Sequence, residues 1–84
     1  MTLLILNFET GDNDCPFWTV MATVEGSFDG SALEDSFSSY FDSAETDDLT
    51  YEEMAEDVLN SMGFTWSFID TKIPSCDSAY TMWL

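Results

Sequence analysis

The charges of this chain are almost all of one sign, and this constrains its folding more than any other feature. The chain carries 17 Asp and Glu residues against one base, Lys72, with no His or Arg, so its formal net charge is −16. A disordered acidic segment would carry such charge but little hydrophobic content. Here 45% of the 84 residues are hydrophobic and 15% are aromatic. We therefore expect one folded domain over residues 1–84, with an apolar core.

The missing residue types exclude several functions. A chain without His and Arg lacks the usual proton shuttle, the imidazole metal ligand and the bidentate clamp for phosphate. Proteins that bind nucleic acids or anionic membranes through phosphates depend on Lys and Arg, so we expect neither as a direct partner. No apolar run approaches the roughly 20 residues of a spanning helix, and residues 1–8 lack the basic start of a secretory signal. The sequence predicts a soluble, cytoplasmic protein.

Metal binding, catalysis and disulfide formation have weak sequence signals. The run Asp12-Asn13-Asp14 lacks the Gly and the distal Glu of a calcium loop, so we expect no metal and no cofactor. Paired carboxylates catalyse only in a cleft that tunes them differently, and a chain this short has little room for one, so we expect no enzyme. Cys15 and Cys76 have no His to activate them. We interpret both as reduced thiols, although one bridge between their loops stays open.

Four segments show the patterns of β-strands. The apolar run Thr2–Phe8 has strand length and ends at loop-forming residues, which predicts a buried central strand. The β-branched and aromatic segment Phe17–Glu25 predicts a second strand, paired with the first as a hairpin. Alternation of Phe64, Trp66 and Phe68 with polar residues predicts a third strand. The segment Ser78–Leu84 predicts the last strand.

Two central segments have helical periodicity. Ser31 and Glu34 have capping-box spacing, and so do Thr50 and Glu53, while Gly63 suits the end of the second helix. In each helix the apolar side chains share one side. In the first helix these residues are Leu33, Phe37, Tyr40, Phe41 and Ala44, and in the second they are Tyr51, Met54, Ala55, Val58, Leu59 and Met62.

The order of elements, ββααββ, predicts an α+β fold. We expect a four-stranded antiparallel sheet with two helices on one face. We expect the core to contain most of the aromatic residues of the strands, which are Phe17, Trp18, Trp66, Phe68, Tyr80 and Trp83. An open sheet face would place some of them in an apolar patch suited to self-association or a partner, with Trp83 and Leu84 the most exposed.

The acids concentrate in the helical part of the chain. Residues 25–57 hold 12 of the 17 acids and no base, and residues 42–57 hold eight. The pairs Glu52/Glu56 and Glu53/Asp57 place like charges at i,i+4, which destabilises a helix. Solubility needs a net charge of only about 2 to 8. The excess predicts a strongly positive partner.

The expected diameter of the folded chain is close to the length of duplex DNA that carries the same number of charges. A chain of 84 residues folds to a radius of gyration of about 12 Å, and 16 charges occupy about 27 Å of duplex. We therefore expect the acids to form a stripe that a nucleic-acid-binding groove attracts.

In length, in the absence of Arg and His, and in the acid run from Asp42 to Asp57, the chain resembles the small acidic inhibitors of phages and mobile elements. These are anti-CRISPR proteins, antirestriction proteins and other DNA mimics. The resemblance implies binding to a Cas effector or restriction complex of the host at its basic nucleic-acid channel. The residues expected to stand in for phosphates are Glu34, Asp35, Asp42, Glu45, Asp47, Asp48, Glu52, Glu53, Glu56 and Asp57.

Two other functions fit the same sequence. One is an immunity or antitoxin-type partner of a basic toxin, which would use the same acids. The other is an assembly module that associates through an aromatic sheet face. A homodimer stays open under each hypothesis.

Overall fold

A computed structural model describes residues 1–26, 29–43, 48–69 and 75–84. It confirms the order ββααββ. The elements are β1 (Thr2–Glu9), β2 (Phe17–Glu25), α1 (Gly30–Ser43), α2 (Tyr51–Ser61), β3 (Thr65–Phe68) and β4 (Ser78–Trp83).

The four strands form one sheet in the order β3-β2-β1-β4. β1 and β2 are the predicted central hairpin, antiparallel from Thr2 opposite Val24 to Glu9 opposite Phe17. β3 is antiparallel to β2, but β4 is parallel to β1. The sheet is therefore mixed, and the prediction of an antiparallel sheet is wrong at β4.

β3 and β4 occupy opposite edges of the sheet, so they are not joined as a hairpin. β3 has the same direction as β1, and β4 starts beside Thr2, where β1 also starts. Alternation of side chains along β4 determines which face they occupy and is the same for either direction, so the sequence pattern did not distinguish the two.

Both helices pack on one face of the sheet, as predicted. Phe8 of β1 lies at the centre, with its ring 6.1 Å from Phe37 of α1 and 5.0 Å from Tyr51 of α2. The helices and sheet share one core, which comprises Leu4, Leu6, Phe8, Val20, Ala22, Val24, Leu33, Phe37, Met54, Ala55, Val58, Leu59 and Met82.

The start of α2 confirms its predicted capping box. The Thr50 hydroxyl accepts from the Glu53 N–H at 3.2 Å, and the Glu53 carboxylate accepts from the Thr50 N–H at 3.2 Å. Gly63, just past the helix end, has the expected positive φ of 78°.

The capping box predicted at Ser31 and Glu34 is wrong. α1 begins at Gly30, two residues before the start that a cap at Ser31 predicts, and the Asp29 carboxylate accepts from the Ser31 N–H at 3.0 Å. Asp29 stands where an N-cap side chain reaches the first unpaired N–H groups. The Glu34 carboxylate instead accepts a hydrogen bond from Tyr80.

The prediction that most of six aromatic side chains pack in the core is wrong, because three are exposed and the other three, Trp66, Phe68 and Tyr80, are half-buried against the core. Phe17, Trp18 and Trp83 are 43%, 47% and 69% exposed, which confirms the prediction for Trp83, while Leu84 is half-buried. Phe17 and Trp83 are in contact, with ring centroids 5.1 Å apart. The register of the strands places both on the sheet face opposite the helices, which we call the second face.

The two cysteines do not form a disulfide. Cys15 precedes β2 at the end of the sheet where β1 finishes. Cys76 precedes β4 at the end where β1 starts. The eight residues of β1 place these ends about 25 Å apart, well beyond the reach of a disulfide.

The Tyr80 side chain limits the space at Gly30. A Cβ atom at this position would overlap the ring of Tyr80, and that ring is held by its hydrogen bond to Glu34. We expect Gly30→Ala to lower the free energy of unfolding by about 1–3 kcal/mol, as for other overpacked sites. Urea unfolding measures this loss.

A double variant tests the cause. In a Tyr80→Ala background the overlap is gone, and Gly30→Ala should then be neutral or stabilising because Ala favours helix over Gly. An equal loss in both backgrounds would show that the Tyr80 ring is not responsible. Ser31→Ala, one residue along, serves as the surface control.

Candidate interaction surface on the helices

The structure describes eight of the ten acids predicted to contact a partner. Glu45 and Asp47 lie outside the described residues. Glu52 is half-buried and the other seven are exposed. The helices and the residues beside them carry these acids, and we call the set the acidic helix surface: Glu34, Asp35, Asp42, Asp48, Glu52, Glu53, Glu56 and Asp57.

Aromatic donors hold three of these carboxylates. The Trp18 Nε1–H donates to Glu52 at 2.9 Å, the Tyr40 hydroxyl donates to Asp57 at 2.8 Å, and the Tyr80 hydroxyl donates to Glu34 at 2.8 Å. These pairs are 34, 17 and 46 residues apart in the chain. Sequence reasoning missed them because it placed the aromatic rings in the core. A usable signal was the position of Glu34 and Glu52 at the borders of the apolar sides of their helices.

These contacts direct the acids of α2 away from one another. Glu52 reaches toward β2, Glu53 turns back to the helix start at Thr50, and Asp57 reaches toward α1. In each i,i+4 pair at least one carboxylate accepts a hydrogen bond from outside the pair, which offsets part of the repulsion expected from spacing alone.

Four carboxylates of the surface form no hydrogen bond or ion pair within the described parts of the chain. They belong to Asp35, Asp42, Asp48 and Glu56. Asp42 lies in the last turn of α1, where the helix dipole disfavours a negative charge. Neither helix has a base in its last turn. The fold gains nothing visible from these carboxylates, and they are available to a positively charged partner.

A shallow groove separates the two helices on this surface. Hydroxyl groups line it, from Ser36, Ser39 and Ser43 of α1 and Ser61 of α2, and Asp35 lies on its wall. Hydroxyl and carboxylate oxygens both accept hydrogen bonds from Lys and Arg. The groove therefore offers hydrogen-bond acceptors between the two helices.

The carboxylates raise the pKa of the tyrosines that they bind. Partial burial and the hydrogen bond to Asp57 raise the pKa of Tyr40 above its ordinary value of 10.0. The hydrogen bond to Glu34 is the main cause of the raised pKa of Tyr80. Both tyrosines therefore remain neutral donors at physiological pH.

Other features of the described residues offer less chemistry. A cavity of about 500 Å³ lies between the start of α2 and the end of β1, lined by Phe8, Phe41, Leu49, Tyr51, Met54, Leu84 and one carboxylate, Glu9. No group of three or more potential metal ligands occurs among the residues that the structure places. None of the described helices is long and apolar enough to cross a membrane.

Comparison with known proteins identifies no relative. No protein-family model, no curated protein and no solved structure matches the chain. A function therefore has to be inferred from the chemistry of the surface itself.

Replacing Asp57 tests the bond to Tyr40. We expect Asp57→Asn to lower the pKa of Tyr40 toward 10.0, because a neutral amide removes the charge that disfavours phenolate. The raised pKa in the folded protein also means that stability from this bond is present below about pH 10 and lost as Tyr40 ionises at higher pH. Ultraviolet titration of tyrosinate measures the shift.

The control for this experiment is Glu56→Gln, one residue before Asp57, where no bond to Tyr40 exists. In a Tyr40→Phe background, Asp57→Asn should leave the remaining tyrosinate signal unchanged. A shift of similar size in both backgrounds would argue against the contact.

Proposed function

We propose that this protein is a non-enzymatic inhibitor that binds a basic nucleic-acid-binding surface of a host defence protein as a mimic of DNA. The observation that carries the proposal is the acidic helix surface. Its eight described carboxylates face no Lys, Arg or His side chain in the described ranges, since the only such residue is Lys72. Four of these acids have no partner there at all.

The dimensions of the molecule support mimicry of a duplex. Its radius of gyration is 12.6 Å and its longest extent is 33 Å. Sixteen net charges over that length correspond to about 2 Å per charge, against about 1.7 Å for duplex DNA and 3.4 Å for one strand. Taken over the whole molecule, the net charge per unit length is close to that of the duplex.

The mechanism of inhibition would be occupation of the partner's nucleic-acid channel. The negative field of the protein speeds its approach to a basic groove. Once the protein is docked, the lysines and arginines that bind phosphates would contact Asp35, Asp42 and Glu56, with the serine groove as a further acceptor. This mode resembles that of anti-CRISPR and antirestriction proteins, with a Cas effector or restriction complex as the partner in the host cytoplasm.

Charge reversal at acids without a structural role tests the proposal. We expect Asp35→Lys, Asp42→Lys and Glu56→Lys together to weaken capture of basic proteins by at least about tenfold, because each change replaces an attraction with a repulsion. The acids that accept hydrogen bonds within the fold are left unchanged, so that the variant keeps its structure. The assay is pulldown from bacterial lysate with and without competing duplex DNA.

The matched control carries the same change in net charge elsewhere. Glu9→Lys, Asp14→Lys and Glu25→Lys alter exposed acids outside the helices and should retain most of the binding. Equal loss in both triple variants would mean that net charge alone matters and would contradict a defined surface. Capture of a basic toxin that DNA does not displace would favour the immunity function instead.

A further inference from the structure

Within the described residues, the outer edge of β4 lacks the charges and prolines that usually protect an exposed strand. β4 ends the sheet on one side and pairs only with β1 among the described strands. Native proteins guard such edges with charges, prolines, bulges or short strands. The segment Ser78–Trp83 contains neither a charge nor a proline, although the chain has 17 acids to place. By contrast, β3 at the other edge has only four residues.

The backbone groups that face outward along β4 can be assigned from its last hydrogen bonds. The Leu84 N–H donates to the Asn7 carbonyl, and the Leu84 carbonyl accepts from the Glu9 N–H, so both groups of Leu84 point to β1. Backbone direction alternates along a strand, as side chains do. The N–H and C=O groups of Ala79, Thr81 and Trp83 therefore point away from the sheet.

We propose that two copies of this chain pair through β4, antiparallel about a two-fold axis at Thr81. In this register Thr81 lies opposite Thr81 of the second copy, and Ala79 lies opposite Trp83. The outward groups of these residues on both copies then form about six hydrogen bonds, and each face of the sheet continues into the same face of the other copy. Shifting the axis to residue 80 or 82 leaves fewer of these groups paired.

The side chains also suit this register. Trp83, which is 69% exposed, would lie on the second face opposite the small side chain of Ala79. Large and small residues facing each other across strands pack without overlap. On the helix side, Tyr80 would lie opposite Met82. We infer a second copy of this chain as the partner because β4 itself contains both the large and the small residues that would face each other.

The charge distribution predicts an unusual dependence on salt. Each copy carries a net charge of −16, and one helical acid, Glu34, is tied to Tyr80 of β4. Repulsion between copies is screened by salt, so dimerisation should strengthen as salt rises. Binding to a basic partner should weaken over the same range. The dimer does not depend on the proposed inhibitory function, and the two can be tested separately.

Sedimentation velocity of the whole chain tests the dimer. About six hydrogen bonds and one aromatic contact per copy form a small interface, typical of weak association. We therefore expect dimer to accumulate between roughly 10 µM and 1 mM protein, and more of it in about 1 M than in about 0.1 M NaCl. A monomer under all these conditions would overturn the proposal.

A proline at the centre of the β4 edge should prevent dimerisation without preventing the monomer from folding. Thr81→Pro removes an N–H that points to solvent in the monomer, a position that tolerates proline. It should weaken the dimer by at least about 30-fold, because each copy leaves an acceptor of the other unpaired. Thr81→Val keeps the backbone donor and should keep the dimer. Circular dichroism reports whether each variant folds.

A charge swap tests the register and remains informative if the proline variant unfolds. Thr81→Glu and Thr81→Lys each place like charges opposite each other at the axis, so each should dimerise less than wild type. A mixture of the two should form a heterodimer tighter than either homodimer. Amide exchange should show protection of Ala79, Thr81 and Trp83 that grows with concentration. Homodimers of both charged variants as tight as wild type would overturn the proposed interface.

Discussion

Packing of the two helices against the β1–β2 hairpin is the interaction on which the rest of the structure depends. With one basic side chain in the sequence, the only ion pair among the described residues joins the Met1 amino group to the exposed Asp77 carboxylate at 3.3 Å. Apolar contact must therefore hold most of the elements together. Phe8 joins three of them, because its ring meets Phe37 of α1 and Tyr51 of α2 from the central strand. A core that is mostly aliphatic surrounds this point. The acids can be as numerous as they are because the core itself contains none of them.

Neutral hydrogen-bond donors take the place that bases occupy in most proteins. Trp18, Tyr40 and Tyr80 each donate to a carboxylate of the helices. These bonds link β2 to α2, α1 to α2 and β4 to α1, so they position the helix layer without neutralising it. A lysine in the same role would have fixed the carboxylate but removed its charge from the surface. The aromatic residues thus let the protein keep both a defined geometry and a strongly negative field.

The sequence predicts the parts of the fold that depend on local patterns. Periodicity identified all six elements, and the Thr50/Glu53 spacing identified the cap of α2 because both partners lie within one turn. The direction of β4 was not predictable, since side-chain alternation is the same for parallel and antiparallel strands. The predicted capping box of α1 was wrong because the Glu34 carboxylate bonds to a residue 46 positions away in the chain, which local spacing cannot reveal. For the candidate site, the positions of the acids on two helices were predictable, but which of them hold the fold was not.

The acidic helix surface and the β4 edge differ in the interaction through which each would bind a partner. Binding at the acidic helix surface would depend on charge and be weakened by salt, whereas pairing at the β4 edge would depend on backbone hydrogen bonds and be weakened by charge. They meet at one point, where Tyr80 of β4 donates to Glu34 of α1. Pairing at β4 would bring two acidic helix layers onto one face of a continuous sheet, and a basic partner that neutralises them would remove the repulsion between the copies. Each association would therefore strengthen the other, because the charge that attracts the partner is the charge that separates the copies.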